Sequence, residues 1–229
     1  EFFTHRWHKG YFYGSGCADE DKIHTVKSSL VAQFHTAVDV ESNLLGVARS
    51  MLGQEPGIVC ILSIGSNSCM YDGHAITHNV RPGGYILGDE GSNAFLGKRL
   101  VADIIKEVAP KEVADRFFSQ FETSANAIFD RVYSHPRANL LLSSYSDFLQ
   151  ENLDLDYCRT LVYESFMAFF KRNVANYDYK SYPVSFTGRT CIAYSDILHQ
   201  AAADFGIRIH KIRASALPGL IEYHSLSEN

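Results

Sequence analysis

Two adjacent carboxylates, Asp89 and Glu90, stand between Gly88 and Gly91 in an otherwise apolar passage of the chain. Glycine lets a backbone turn tightly or approach a ligand closely. The acids could stabilise the positive N-terminal end of a helix, which we expect to begin at Glu90. Alternatively they could bind a polyol, because each ionised carboxylate accepts hydrogen bonds from several hydroxyl groups. The pair alone does not decide between these uses.

The histidines and cysteines form no comparable group. His74 and His78 lie on a predicted strand, so they are not stacked on one helical face, and His5 and His8 flank Trp7 near the start of the chain. The five cysteines are scattered and contain no CxxC pair, which predicts reduced, mostly buried thiols. No spacing identifies a Ser-His-Asp or Cys-His group. We therefore predict no metal site.

The bulk properties are those of an ordinary globular protein. The chain has 229 residues, of which 46% are hydrophobic, and this suits one large domain or two small ones. The net charge of -5 and the lack of a basic stripe argue against binding to nucleic acid. No apolar run is long enough to cross a bilayer, and no basic-then-apolar leader begins the sequence. We expect a cytoplasmic protein.

Hydrophobic periodicity and turn residues predict two series of elements, which meet at Gly57. The first series is a strand at Gly10–Gly14, a helix at Lys22–His35, an apolar segment at Thr36–Val40 and a helix at Ser42–Met51. The second begins with strands at Gly57–Ile64, Asn67–Tyr71 and Ala75–Val80, of which the last two are joined by a two-residue hairpin at Asp72-Gly73. Helices follow at Glu90–Val108, Lys111–Phe121, Ser124–Tyr133, Leu140–Asn152 and Asp156–Tyr177. The series ends with a strand at Tyr182–Thr187, a helix at Cys191–Phe205, a strand at Ile207–Ile212 and a helix at Leu217–His224.

The order of the second series resembles one half of the α/β fold shared by actin, the hexokinases and the heat-shock chaperones, which is ribonuclease H-like. We therefore expect residues 57–229 to form one half-domain, with a five-stranded mixed sheet and an all-helical insert at about 111–152. Residues 1–56 would be the remnant of a truncated first half-domain. Because that remnant lacks a three-strand meander and begins at Glu1, we expect the sequence to lack its N-terminal portion.

Four segments in order resemble the N-acetylglucosamine-kinase-like sugar kinases of the BadF/BadG ATPase type. The segments are YFYGSGC at 11–17, CILSIGSNSCMYDG at 60–73, GGYILGDEGSNAFLGK at 83–98 and PGLIEYHS at 218–225. The resemblance runs from about Lys9 to Ser225, nearly the whole chain. It implies transfer of the terminal phosphoryl group of ATP to a sugar hydroxyl, with Mg²⁺ as the accompanying ion.

The resemblance also implies a sugar site around the acidic pair. In such a kinase the Asp of the GDEGS turn hydrogen-bonds sugar hydroxyls, and this Asp corresponds to Asp89, with Glu90 beside it. Asn67 is the second candidate sugar contact, because its amide both donates and accepts hydrogen bonds. The backbone at Gly84 would approach the same sugar.

The nucleotide side departs from the family pattern. Family members carry a Gly-Thr-Gly-Ser turn whose N–H groups and hydroxyl face the ATP phosphates, and here Gly65 and Ser66 remain while Ile64 replaces the Thr. The Gly-Ser near the adenosine becomes Gly188-Arg189, and Arg189 could clamp a phosphate or fill the adenine space. The family's first phosphate loop, which supplies the Mg²⁺-associated carboxylate, would belong to the missing N-terminal portion.

The catalytic base is the sharpest departure. Family members carry an Asp at the start of the helix before Gly57, and this position is Asn43 here. An amide cannot act as a general base, a role that contributes about 10²- to 10⁴-fold to a rate. We expect Asn43 to cap its helix and to keep a sugar hydrogen bond. Glu41 could stand in for the acid, although a residue at a strand end should point elsewhere.

Two hypotheses follow for the function. In the first, the protein is a kinase of N-acetylglucosamine or a related amino sugar, with ATP and Mg²⁺. Alternatively it is a catalytically silent relative that binds a sugar or a partner. The resemblance further implies a homodimer contact through the helical insert.

Overall fold

The computed structural model describes residues 8–17 and 19–227, so the predicted features at His5 and Trp7 lie outside the described residues. A two-stranded parallel sheet forms from β1 (Lys9–Gly14) and β2 (Ala37–Ser42). Helix α1 (Glu20–Phe34) connects the two strands, as a parallel pair requires a long crossover. Helix α2 (Asn43–Leu52) follows β2 without a break.

The second sheet confirms the predicted five-stranded mixed arrangement. Its strands are β3 (Gly57–Leu62), β4 (Ser66–Tyr71), β5 (Ile76–His78), β6 (Val184–Thr187) and β7 (Ile209–Arg213), in the spatial order β5-β4-β3-β6-β7. Strands β3, β4 and β5 pair antiparallel, whereas β6 and β7 run parallel to β3. The central strand β3 is almost entirely buried, which explains its unbroken apolar sequence.

Helices account for most of the remaining chain. They are α3 (Gly84–Leu87), α4 (Asn93–Ile105), α5 (Lys111–Phe121), α6 (Ala125–Ser134), α7 (Ala138–Tyr145), α8 (Asp147–Glu151), α9 (Asp156–Arg172), α10 (Arg189–Ala193), α11 (Ser195–Phe205) and α12 (Leu217–Ser227), with a 3₁₀ turn at Val174–Asn176 after α9. Short α3 was not predicted from the sequence.

Two predicted helices are each broken into two, and the two breaks are in contact. The predicted helix at Leu140–Asn152 is interrupted at Ser146, between α7 and α8. The predicted helix at Cys191–Phe205 is interrupted at Tyr194, whose backbone φ is -122°. The Tyr194 hydroxyl donates to the Ser146 carbonyl oxygen at 2.9 Å. This hydrogen bond joins the two interrupted positions, which are distant along the chain, so the sequence pattern could not predict it.

The predicted two-residue hairpin at Asp72-Gly73 is wrong in length. The connection between β4 and β5 spans residues 72–75. The Asp72 carboxylate accepts hydrogen bonds from the backbone N–H groups of His74 and Ala75, at 2.8 and 2.7 Å. Aspartate bonds its own downstream backbone readily, and here that local turn replaces the tighter one.

Two close contacts join elements that are distant along the chain. A side-chain carbon added at Gly97 of α4 would lie 1.8 Å from the Leu142 carbonyl oxygen of α7, so only glycine permits this helix crossing. In the second contact, the Ser50 hydroxyl of α2 donates to the Ala216 carbonyl oxygen just before α12. The division of the chain at Gly57 into two half-domains stays a prediction.

Candidate functional site

The site is built around the turn between β3 and β4, residues 63–66, which we call the central turn. Its backbone is closed by a hydrogen bond from the Ser63 N–H to the Gly65 carbonyl oxygen, at 2.9 Å. The first residues of α4 bind the same turn, because the Asn93 N–H donates to the Ser63 carbonyl oxygen and the Ala94 N–H to that of Ile64. The N-terminal end of α4 is therefore fixed to the central turn through the backbone.

Asp89 brings its carboxylate onto this turn. Its backbone has a φ of 58°, a left-handed conformation that aspartate tolerates better than most residues. The Asp89 Oδ1 accepts a hydrogen bond from the Ser66 N–H at 3.3 Å. A side-chain carbon at Gly65 would lie 2.9 Å from Asp89 Oδ2, so glycine is needed for this approach. The structure thus brings together Asp89, Gly65 and Ser66.

The Asp89 carboxylate is only 8% exposed, and burial raises its pKa above the ordinary value. The Ser66 N–H bond lowers the pKa, while the neighbouring Glu90 raises it by repulsion of like charge. Burial is the largest of these effects. Among the described residues the carboxylate accepts a single N–H, so its ionised form is short of hydrogen-bond donors. A ligand that offers hydroxyl donors would stabilise it.

Glu90 faces a different element from Asp89. Its carboxylate forms an ion pair with the Arg172 guanidinium at the end of α9, and its side chain is largely buried. The next residue, Gly91, donates its N–H to the Ser165 hydroxyl of α9 at 3.1 Å. Glu90 and Gly91 thus anchor the acidic turn on α9.

The expectation that the acidic pair caps a helix beginning at Glu90 is wrong. Helix α4 begins at Asn93, and its N-cap is Ser92, whose hydroxyl accepts a hydrogen bond from the Phe95 N–H at 3.1 Å. A serine directly before an apolar-periodic run is the usual signal for this position, and in this sequence it competed with two acids. Because the Ser92 hydroxyl caps α4, the Asp89 carboxylate is available to bind the central turn.

The other two predicted sugar contacts both follow the central turn along the chain. The Asn67 Oδ1 on β4 accepts a hydrogen bond from the Asn79 side chain at 2.9 Å, which fixes the orientation of the Asn67 amide. Gly84 begins α3, five residues before Asp89, with a φ of 70° and no atom within 4 Å of an added side-chain carbon. The backbone at Gly84 is therefore exposed and open to a ligand.

Gly188 and Arg189 directly follow β6. A side-chain carbon on Gly188 would lie 2.1 Å from the Leu62 carbonyl oxygen, so glycine allows β6 to end directly against β3. Arg189 is exposed and begins α10, while Ile64 on the central turn is 43% exposed. The Ser66 N–H, a donor that a phosphate could use, is already bonded to Asp89.

Thr190 is a contact that sequence reasoning missed. Its buried hydroxyl lies 2.8 Å from Asn93 Oδ1 and 3.2 Å from the Ser63 carbonyl oxygen. The partners are 97 and 127 residues away along the chain, so no local pattern could indicate the contact.

Asn43 is the first residue of α2 but not its cap. The N-cap is Ser42, whose hydroxyl accepts a hydrogen bond from the Leu45 N–H at 3.2 Å, so the capping role predicted for Asn43 is wrong. Two capping residues in succession made the sequence ambiguous. Within residues 8–17 and 19–227, no hydrogen bond or ion pair joins Asn43 to the central turn. Glu41 faces Arg49 instead, at 4.0 Å.

Two other kinds of functional feature are absent from the described residues. No group of three or more His, Cys, Asp or Glu side chains in the described part of the chain is arranged to hold a metal ion. Among the same residues, none of the helices has the length and apolar character needed to cross a membrane.

We expect Asp89→Asn to melt at the same temperature as the wild type at pH 7, or higher. Asparagine tolerates the left-handed backbone and can accept the Ser66 hydrogen bond, yet it carries no buried charge. Because the pKa of Asp89 is raised on folding, its ionisation lowers stability as the pH rises through the raised value. The advantage of the variant should therefore vanish below about pH 3.8, the ordinary pKa.

The control is Asp89→Ala, which loses both the acceptor and the tolerance of the backbone conformation, and should lower the free energy of unfolding by about 1–3 kcal/mol. Thermal melts at several pH values measure both variants. If Asp89→Asn melts clearly lower than the wild type at pH 7, the described environment of Asp89 is wrong.

The comparisons with known proteins bear on the family. No protein-family model and no curated protein matches the chain. Among solved structures, a Porphyromonas gingivalis protein described as a "Putative N-acetylglucosamine Kinase" is 34% identical, with a TM-score of 0.92, and the match covers 96% of this chain and 78% of that one.

A Chromobacterium violaceum protein with the same description is 16% identical, with a TM-score of 0.71, over 93% of this chain and 75% of that one. At that identity the second match shows the fold alone. The first match is close in sequence as well as in structure. The chain therefore belongs to the N-acetylglucosamine-kinase-like family of sugar kinases, with the actin/hexokinase-like α/β fold.

Proposed function

We propose that the protein phosphorylates a hydroxyl group of N-acetylglucosamine or a related amino sugar, with ATP as the phosphoryl donor. The observation that carries this proposal is the Asp89 carboxylate, which is buried, bonded to the central turn and short of donors. A sugar offers several hydroxyl donors at once, and a buried site that hydrogen-bonds them rejects ligands that lack them.

Gly84 and Asn67 are the further proposed sugar contacts. Gly84 offers open backbone, and Asn67 has its carbonyl oxygen bonded to Asn79, which leaves its NH₂ group for a sugar oxygen. Because the Glu90 carboxylate is paired with Arg172, we assign it to holding the Asp89 segment in place and less to accepting hydrogen bonds from the sugar. The similar protein from Porphyromonas gingivalis supports an amino sugar as the substrate.

ATP would bind on the other face of the central turn. Gly65, Ser66, Gly188 and Arg189 would hold it, since glycine backbones permit close approach of phosphates and Arg189 offers an exposed guanidinium. The fit is incomplete, because Ile64 exposes hydrocarbon there and the Ser66 N–H is bonded to Asp89. Magnesium would arrive with the nucleotide, since Mg²⁺ is held largely by phosphate oxygens and water.

A catalytically silent sugar-binding protein is the second candidate. Two observations favour it: Asn43 stands where the resemblance expects the base, and Ile64 stands where it expects a phosphate-facing hydroxyl. Both departures fall on catalysis and nucleotide binding, whereas the contacts of Asp89 are intact.

We also propose where the protein is located and how it assembles. All five cysteines are free and buried, as is usual in a reducing compartment, and this supports a cytoplasmic protein. The helical segment 111–152 exposes Phe129 and Tyr133, whose rings are in contact at a centroid distance of 4.6 Å. Such an exposed aromatic pair supports a homodimer contact on this segment.

We expect titration calorimetry to detect binding of N-acetylglucosamine by the wild type and a loss of affinity of at least about tenfold in Asp89→Asn, because charge-assisted hydrogen bonds contribute about 1.5–3 kcal/mol. The matched control is Asp72→Asn, which changes an exposed aspartate in the turn between β4 and β5. Its affinity should equal that of the wild type. Sugar binding that is indifferent to Asp89→Asn would refute the proposed site.

We expect Asn43→Asp to raise the rate of sugar phosphorylation by about 10²-fold or more, since it restores a general base at the family position. A carboxylate in the first turn of α2 is favoured by the helix dipole, so stability should not fall. A coupled assay for ADP release measures the rate, and calorimetry confirms unchanged sugar affinity. A variant that binds the sugar but shows no gain in rate favours the silent candidate.

A further inference from the structure

The buried hydroxyl group of Thr190 joins three elements of the structure. Thr190 is the second residue of α10 and has no exposed surface. Its hydroxyl reaches Asn93 Oδ1, at the start of α4, and the Ser63 carbonyl oxygen, in the central turn. Helix α10, helix α4 and the central turn therefore meet at this group.

The two helices hold the central turn in different ways. Helix α4 is bonded to it by backbone N–H groups, from Asn93 to Ser63 and from Ala94 to Ile64. Helix α10 reaches Ser63 through the Thr190 side chain, together with a weak contact of 3.9 Å from the Cys191 thiol to the Leu62 carbonyl oxygen. Helix α10 also follows directly from β6, which pairs with β3 as far as Thr187. The Thr190 hydroxyl adds a direct bond from α10 to the central turn itself.

Burial makes this contact restrictive. A hydroxyl removed from water is costly unless it is hydrogen-bonded, so Thr190 cannot move away from both acceptors without a penalty. A displacement of the central turn should therefore displace α10 and the Gly188-Arg189 segment at its start.

The opposite side of the turn is held by Asp89. Its carboxylate accepts the Ser66 N–H, three residues after Ser63. A ligand that draws on the Asp89 carboxylate would change that hydrogen bond, and the change would reach Ser63, Thr190 and the start of α10 through bonded neighbours.

We propose that Thr190 and Asn93 are positioning residues that couple the two faces of the central turn, so that sugar bound at Asp89 alters the affinity for a nucleotide at Gly188 and Arg189. This inference rests on the proposed function, since it presumes both ligands. By linkage the effect is reciprocal, and such couplings are typically about 5- to 150-fold.

The test compares Thr190→Val, which removes the hydroxyl at nearly constant volume, with Thr190→Ser, which keeps it. The affinity for N-acetylglucosamine is measured by calorimetry without and with a saturating non-hydrolysable ATP analogue and Mg²⁺. We expect the two affinities to differ at least about fivefold in the wild type and in Thr190→Ser, and less than about twofold in Thr190→Val.

A ligand-free measurement accompanies it. Backbone hydrogen exchange at Asn93 and Ala94 should be about 3- to 10-fold faster in Thr190→Val than in the wild type, the factor that one net hydrogen bond contributes. Thr190→Ser should exchange at the wild-type rate. Asn93→Ala, which removes the acceptor and leaves Thr190 unchanged, should reproduce the lost coupling if Thr190→Val does not fold.

The outcomes separate this inference from the proposed function. If the wild type binds neither ligand, the proposed function fails and the coupling fails with it. If both ligands bind but Thr190→Val keeps the wild-type coupling or the wild-type exchange rates, the inference is overturned and the proposed function stands. A coupling lost equally in Thr190→Ser would also overturn it, because the hydroxyl would then be irrelevant.

Discussion

The hydrogen bond from the Ser66 N–H to the Asp89 carboxylate is the contact on which the site depends. It forms because Asp89 adopts a left-handed backbone conformation that aims its side chain at the central turn, and because Gly65 has no side chain to obstruct it. The segment around Asp89 is held in turn by the ion pair of Glu90 and by the bond from Gly91 to Ser165. A buried carboxylate is costly, and this one is kept by the packing around it.

The two faces of the central turn therefore differ in how well their groups suit a ligand. The face of Asp89 presents a charged acceptor with open backbone nearby at Gly84, as a polyol requires. The face of Gly188 presents glycine backbone and an exposed guanidinium, but also the hydrocarbon of Ile64. One backbone donor, the Ser66 N–H, cannot serve both faces fully. These contacts therefore support the proposed sugar site more than the proposed nucleotide site.

Much of the fold could be predicted because the strands of the central sheet have distinctive patterns, above all the apolar run of β3. The resemblance implies a ligand-binding role for Asp89, but its hydrogen bond with the Ser66 N–H joins residues that are 23 apart along the chain and could not be predicted. The wrong predictions concern helix caps. Ser42 and Ser92 cap α2 and α4, although Asn43 and the acidic pair are residue types that cap helices equally well. The contact of Thr190 with Asn93 could not be predicted, since it depends on how distant helices pack.

The most direct test is the pKa of Asp89 itself, measured by the pH dependence of its carboxyl ¹³C resonance without and with N-acetylglucosamine. The account predicts a pKa above the ordinary aspartate value in the free protein, because burial outweighs the single N–H donor. It predicts a lower pKa when the sugar is bound, because hydroxyl donors stabilise the ionised form. A pKa at or below the ordinary value in the free protein, or one that saturating sugar leaves unchanged, would contradict the account.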